Sequence, residues 1–385
     1  MRQTTAPRHA TNEPPADVRV LAVTSFRPDE IRNSVEEMAL PVEVISITPT
    51  AGRLGHVVET FRQTRDAIQA HDPDVILLDC YETMGIVVAC LARARNVTLV
   101  ARLVGDTWRR YESPALSAVS TPGELLQFGV HRAALALDSF TFGRADGFVT
   151  VSEELKSIVS SRTGCRPERI GVVPVPLTVD TLAEGSADAG RRRLGTDEQR
   201  VLLTVTNLKF PEKFEGVKTA LSELLPLLQD DPDLCYVVAG SGQYHERLSS
   251  VVDASCPDQD VRNRVYTPGY VEDVADLYAL ADVFVYVSYL DGYPNAVLEA
   301  QTAKLPVVAN DAHGMCDQIT DGETGFLVDP GRSGQLGARV ASLLDSPAER
   351  RRVGEQARRR AFEENSPEVV GEQLEEALLR ILENC

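Results

Sequence analysis

The sequence predicts an α/β protein of two Rossmann-like, doubly wound domains facing each other across a cleft. Three observations carry that expectation. Short apolar runs of strand length alternate with longer segments of helical spacing. The alternation stops at the polar, charged stretch Thr181–Gln199 and then restarts. At 385 residues the chain is too long for one ordinary domain and suits two.

In the first half, Val18–Thr24, Val42–Ile47, Val75–Leu78, Thr98–Leu103, Gly147–Val151 and Ile170–Val175 read as buried strands. Leu54–His71 and Thr121–Arg144 carry helical spacing between them, the second opening on the capping-box pattern Thr121-Pro122-Gly123-Glu124. In the second half the strands are Val201–Val205, Leu234–Ala239, Val265–Thr267, Val283–Val287, Pro306–Ala309 and Gly325–Val328. Phe214–Gln229, Val274–Leu280 and Pro294–Thr302 read as the helices between them, and Ala348–Leu382 as a charged helical tail. Alternation of this kind implies βαβ units and parallel sheets, whose ligands sit at the carboxyl ends of the strands. The expected division is a flexible tail (1–17), an N-terminal domain (18–180), a linker (181–199), a C-terminal domain (200–365) and a last helix (366–385) with the length to pack back on the first domain.

Composition narrows the function classes. The net charge of -18 disfavours nucleic acid, whose phosphates would be repelled. Hydrophobic residues make up 43% of the chain, enough for packed cores, yet no apolar run reaches the roughly 20 residues that span a bilayer. The seven cysteines are scattered, odd in number and without a C-x-x-C pair, which fits a reducing cytoplasm. Lysine occurs only at 156, 209, 213, 218 and 304. An acidic, lysine-poor surface suits high salt; the alternative account of the arginine bias is a GC-rich genome.

The densest chemistry lies in Ala281–Asn310, a strand, loop and helix with Asp291 in the loop and Glu299 eight positions on in the helix. Pro294 suits the first helical turn, and the free backbone N–H groups of Gly292–Ala296, including those of Tyr293 and Asn295, form an electropositive mouth. Carboxylates accept strongly from vicinal sugar hydroxyls. The residues alone leave a second reading open, with Asp291 capping the helix and Glu299 solvated on its surface. Val237–Gly242 ends a strand in Gly240-Ser241-Gly242, a turn at which backbone can approach a nucleotide. Gly105-Asp106 closes another strand, and Asp106 can cap the following turn or bind acceptor or donor sugar in the cleft.

Asp291-x7-Glu299, followed by Leu305–Val308 and flanked by Pro268–Val271, Ala281–Phe284 and Asp321–Val328, resembles the E-x7-E signature of retaining glycosyltransferases of family 4, which have the two-Rossmann GT-B fold. The likeness is strong over Val201–Pro330 and weak over Val18–Asp180. It implies that Glu299 binds the donor ribose and that Asp291, with the amides of Gly292 and Tyr293, binds the donor sugar. Family members have Glu where Asp291 stands, one methylene longer. The family also places an Arg and a Lys six positions apart on the donor diphosphate. Lys213 occupies the Lys position and Asn207 the Arg position, a loss that matters unless Lys209, Arg102 or Arg109 replaces the cation. By the same likeness Gly240, Gly242 and the loop Gly269-Tyr270-Val271 lie on the nucleotide side, and Asn310–Cys316, with His313 and Gly314, faces the cleft. The family's glycine-rich loop after the first strand is absent, with Thr24–Asp29 in its place.

The expectation is a retaining, metal-independent hexosyltransferase whose donor is a nucleotide-diphosphate sugar, with no further cofactor. Its acceptor is a glycan, a lipid-linked glycan or a small molecule, and it works in the cytoplasm. Contact with the inner face of a membrane through Thr121–Arg144 is compatible with the sequence, as is an ordinary packed helix there. The alternatives are a catalytically degenerate sugar-nucleotide-binding protein and a nucleotide-sugar epimerase of similar fold.

Overall fold

In the computed structural model the apolar runs become strands of two parallel sheets. The structure describes residues 18–25, 28–47, 53–110, 122–178, 184–195 and 200–385. The tail 1–17 and the start of the capping box at Thr121 lie outside these residues. The N-terminal sheet holds β1 (Val20–Thr24), β2 (Val42–Ser46), β3 (Val75–Asp79), β4 (Thr98–Leu103), β5 (Gly147–Thr150) and β6 (Ile170–Val172). The C-terminal sheet holds β7 (Arg200–Val205), β8 (Leu234–Ala239), β9 (Val265–Gly269), β10 (Val283–Tyr286), β11 (Val307–Asn310) and β12 (Phe326–Val328). The strands run as unbroken apolar stretches because helices cover both faces of each sheet; β1, β3, β8 and β10 are buried along their whole length.

Topology places the clefts. The N-terminal order is β2-β1-β3-β4-β5-β6 and the C-terminal order β12-β11-β10-β7-β8-β9. In the second sheet the chain winds outward from β7 through β9, then returns to lay β10 against β7, with Val283 beside Leu202. The carboxyl ends of β7 and β10 therefore flank a switch point, where the connecting loops diverge and leave a crevice.

Helix Pro211–Asp230 shows how packing follows spacing. Pro211 stands in its first turn, where a missing N–H is harmless. Phe214, Val217, Leu221, Leu224 and Leu228 recur at helical intervals and enter the core of this domain. Its first turn also carries Lys213, which the same periodicity turns inward.

Two segments differ from their sequence reading. Within the stretch read as linker, Ala187–Leu194 is a helix capped by the Ser186 hydroxyl. Gly190 packs there so closely that a Cβ would lie 2.6 Å from the Asp276 carbonyl oxygen. The helical tail is two helices, Pro347–Asn365 and Pro367–Glu383, broken at Ser366, which caps the second. That second helix lies on the N-terminal domain. Glu375 accepts from the amides of Ala39 (2.6 Å) and Leu40 (3.1 Å), and Gly147 and Gly171 leave room for Ile381 and Ala377. Burial of Val370, Leu374, Leu378 and Ile381 contributes about 1.5–3 kcal/mol each to holding it there.

Candidate active site at the switch point of the second sheet

The loop after β10 is fixed before it reaches the cleft. The Asn310 carboxamide, at the end of β11, accepts from the Ser288 amide (2.9 Å) and donates to its carbonyl (3.0 Å). Gly314 packs against Gly292, where any Cβ would sit 1.8 Å from the Gly292 carbonyl oxygen. Gly292 in turn meets the first domain, with a Cβ there only 2.4 Å from the Val104 carbonyl oxygen. These close approaches deliver Asp291 to the cleft. Asp291 does not cap the next helix: Pro294 holds the N-cap position of Asn295–Thr302, one place earlier than its sequence reading, and no side chain caps that end.

Asp291 is instead paired. Its Oδ1 lies 2.9 Å from Lys213 Nζ, and both side chains are nearly buried. Its Oδ2 accepts from the Tyr286 hydroxyl at 2.8 Å, and Lys213 donates to that same hydroxyl at 3.4 Å. Burial alone pulls the Lys213 pKa down, but Tyr286 and Asp291 together outweigh it and hold the ammonium charged well above the usual lysine range. Glu299 has a matching partner, since the Tyr278 hydroxyl donates to its Oε2 at 2.7 Å. Burial, followed by the neighbouring carboxylate, raises the pKa of both phenols, so each stays protonated and donates. Glu299 is not a solvated surface residue; it borders both cleft cavities.

One cavity, of about 410 Å³, lies between the domains. Lys213, Asp291, Glu299 and the backbone of Gly292–Ala296 form its C-terminal wall, and Glu30, Val104, Gly105 and Asp106 the facing one. Glu30 is bridged across the cleft by Asn295 Nδ2 at 3.1 Å. Asp106 takes the capping role, its Oδ1 accepting from the Arg109 amide (3.0 Å), and the residue also borders the cavity.

A second cavity, of about 810 Å³, opens on the other side of Glu299 and Asn207. Gly240, Ser241, Tyr270 and Val271 line it, with Tyr270 75% exposed at the rim. The reading of Gly-x-Gly as bare backbone for a nucleotide needs correction for Gly242. Both glycines, with φ of 133° and 156°, press on the loop after β7: a Cβ on Gly240 would lie 1.8 Å from the Thr206 oxygen, and one on Gly242 2.2 Å from the Leu208 carbonyl carbon. They shape that loop, and through it the placement of Asn207 and Lys209. Gly242, Gly269 and Gly314 act through such packing or turn geometry and border neither cavity.

The three candidates for the missing cation separate cleanly. Arg102 is buried between Glu30 (3.9 Å) and Asp79 (3.7 Å) and does not reach the cavities. Arg109 borders a small recess with Asp106, Asp291 and His313. Lys209 is exposed and lines both large cavities, next to Asn207, whose Oδ1 has no partner among the described residues. His313, at φ 58°, meets Glu154 of the other domain with Nδ1 3.2 Å from Oε1, a contact between domains. Sequence reasoning missed Tyr278, Tyr286 and Glu30. The two tyrosines read as strand or helix core, and only their polar tips at the carboxyl end of the sheet would have marked them.

Two facing doubly wound sheets, with Asp291 on the loop after β10 and Lys213 and Glu299 on the helices that follow β7 and β10, define the GT-B architecture. The sequence matches two family models, "Glycosyl transferase 4-like domain" over residues 9–176 and "Glycosyl transferases group 1" over 187–360. Between them the two models span most of the chain, which belongs to the glycosyl transferases, group 1 over its second half and 4-like over its first. Among curated relatives, the alpha-D-kanosaminyltransferase of Streptomyces kanamyceticus is 30% identical over 48% of this chain and 46% of its own length. A D-inositol 3-phosphate glycosyltransferase of Thermomonospora curvata is 27% identical over 83% of this chain and 75% of its own. The chain spans about half the length of several curated relatives it matches. Two solved structures share the fold. HepE from Anabaena in complex with UDP and glucose has a TM-score of 0.67 at 18% identity, covering 94% of this chain and 99% of that one. Sucrose-phosphate synthase from Thermosynechococcus elongatus has a TM-score of 0.70 at 16% identity, covering 96% and 100%.

Proposed function

We propose that this chain transfers a glycosyl group, with retention at the anomeric carbon, from a nucleotide-diphosphate sugar to a hydroxyl-bearing acceptor. The acceptor is a glycan, a lipid-linked glycan or a small molecule. The observation that carries the reading is the placement of Lys213, Asp291 and Glu299 around one interdomain cavity at the switch point. In this reading residues 18–180 hold the acceptor and 200–365 the donor. The nucleoside lies in the larger cavity, its ribose on Glu299 and its base against Tyr270 and Val271. The diphosphate lies between the two cavities, on Lys213, on Lys209 in place of the cation lost at Asn207, and on the amides of Gly292–Ala296. Asp291 takes hydroxyls of the sugar.

The chemistry needs charge stabilisation where the leaving group departs. The bond from the anomeric carbon to the diphosphate oxygen breaks as the acceptor oxygen bonds to the same face. The acceptor proton passes to the leaving phosphate oxygen, and the nucleoside diphosphate is released. Lys213 is suited to this role because its charge does not titrate near neutral pH. No metal enters the proposal, and the free cysteines support a cytoplasmic setting. Among the described residues no helix is long and apolar enough to cross a membrane.

The test is a panel of UDP-, GDP-, ADP- and dTDP-hexoses screened for thermal stabilisation, since bound donor raises the melting temperature. Product analysis with the best binder follows. Stabilisation with sugar transfer, lost on Lys213→Ala or Glu299→Ala, is the expected result. Full activity in either variant overturns the site. Binding with neither transfer nor hydrolysis for any acceptor favours a degenerate sugar-nucleotide-binding protein. The family matches to transferases favour transfer over epimerisation.

A further inference from the structure

Beneath the two site carboxylates runs a file of three aromatic rings. Tyr278 packs on Phe284 (5.6 Å between centroids, 44° tilt), and Phe284 stacks on Tyr286 (6.0 Å, 12°). Phe284 and Tyr286 alternate on β10 and so share a face. All three are almost fully buried, which leaves each ring one position. The two ends of the file carry hydroxyls, one on Glu299 and the other on Asp291.

We propose that Tyr286 is a positioning residue for the donor sugar: it holds Asp291 in place while Lys213 exchanges that carboxylate for the donor diphosphate. This rests on the donor-site reading above. Lys213 is paired with Asp291 Oδ1. A phosphate arriving at Lys213 draws the ammonium away and leaves a nearly buried carboxylate short of one partner, a costly state. The Tyr286 hydroxyl remains on Oδ2, which lowers that cost and keeps Asp291 aimed at the cavity. Its 2.8 Å bond to the Asp291 carboxylate is of ordinary, well-formed length, whereas its 3.4 Å contact with Lys213 is at the limit of hydrogen bonding. Tyr286 therefore acts chiefly through Asp291, and its influence falls on the sugar rather than on the diphosphate. Removing the hydroxyl alone leaves the ring stack intact.

The experiment is calorimetry on the full chain and Tyr286→Phe, with the best-binding nucleotide sugar of the four-base panel and with its nucleoside diphosphate. Tyr286→Phe should weaken the nucleotide sugar roughly tenfold, the size of one hydrogen bond to a charged group. It should change nucleoside diphosphate binding less than about threefold. In an Asp291→Asn background the same substitution should add less than about threefold, because its route of action is gone. Equal weakening of both ligands marks a merely structural tyrosine and overturns the proposal. So does unchanged nucleotide-sugar binding, or full additivity with Asp291→Asn. A wild-type chain that binds no member of the panel overturns the donor-site reading itself, and this inference with it.

Discussion

Lys213 and Asp291 form an ion pair with Nζ 2.9 Å from Oδ1, their side chains 10% and 12% exposed, inside the cavity between the domains. A pair so withdrawn from water is strong only while both partners are present. Lys213→Met should destabilise the protein by roughly 3 kcal/mol, because it strands the Asp291 carboxylate, and should lower turnover at least about a hundredfold through loss of charge at the leaving group. Adding Asp291→Asn should restore most of the stability and none of the turnover. Denaturant melts and donor turnover on the two variants check this. Recovery of both together would mean that the pair is structural alone.

Much of the fold was legible because parallel strands buried on both faces leave unbroken apolar runs. Thr98–Leu103 and Leu234–Ala239 could be read residue for residue. Helix Ala187–Leu194 was not legible, since its residues are small and charged and it depends on contacts with Asp276 far along the chain. The Asp291–Glu299 spacing located the cleft, but spacing carries no information about partners. That Lys213 meets Asp291, that Arg102 is consumed by Glu30 and Asp79, and that Gly242 serves its own chain all depend on how strands distant in sequence align.

Lys209 is exposed, so its removal should leave stability within about 0.5 kcal/mol, as for most surface substitutions. If it replaces the cation missing at Asn207, Lys209→Ala should weaken nucleoside diphosphate binding roughly five- to tenfold, with a shallower salt dependence than wild type. Asn207→Arg in the same background should recover the affinity. Calorimetry at two ionic strengths reads both effects. Unchanged affinity in Lys209→Ala would shift the role to Arg109.

Asp317 reaches across the domain boundary and accepts from the Glu153 amide at 3.2 Å. Burial raises its pKa above the usual aspartate value of 3.8, and Glu153 and Glu154 push the same way against that amide bond and Arg360. With the folded pKa above the unfolded one, the stabilising contribution is complete below pH 3.8 and is lost as pH rises through the folded value. Asp317→Asn carries no such loss. Its melting temperature should therefore fall less than that of wild type, or rise more, between pH about 4 and about 7. Parallel pH profiles of the two proteins would show that this carboxyl does not contribute.

Gly292 ties the geometry of the site to the closure of the domains. It follows Asp291 directly, and a methyl group there would lie 2.4 Å from the Val104 carbonyl oxygen and 3.1 Å from Val151 Cγ2, both in the opposite domain. Backbone on neither side yields easily, so Gly292→Ala should be relieved by parting the domains rather than by distorting either sheet. Each core stays packed, and the melting temperature should drop by no more than the roughly 2–4 °C that 1 kcal/mol produces in a domain of this size. The Asp291–Lys213 pair would separate from the facing wall at Asp106 by a fraction of an ångström to an ångström, enough to lower kcat/KM on the order of a hundredfold. Gly129→Ala, where a Cβ meets nothing within 4 Å, is the control: it should leave kcat/KM unchanged and, in a helix interior, raise the melting temperature slightly. Full activity in Gly292→Ala would mean that the loop gives way locally and that this contact does not set the alignment of the two walls.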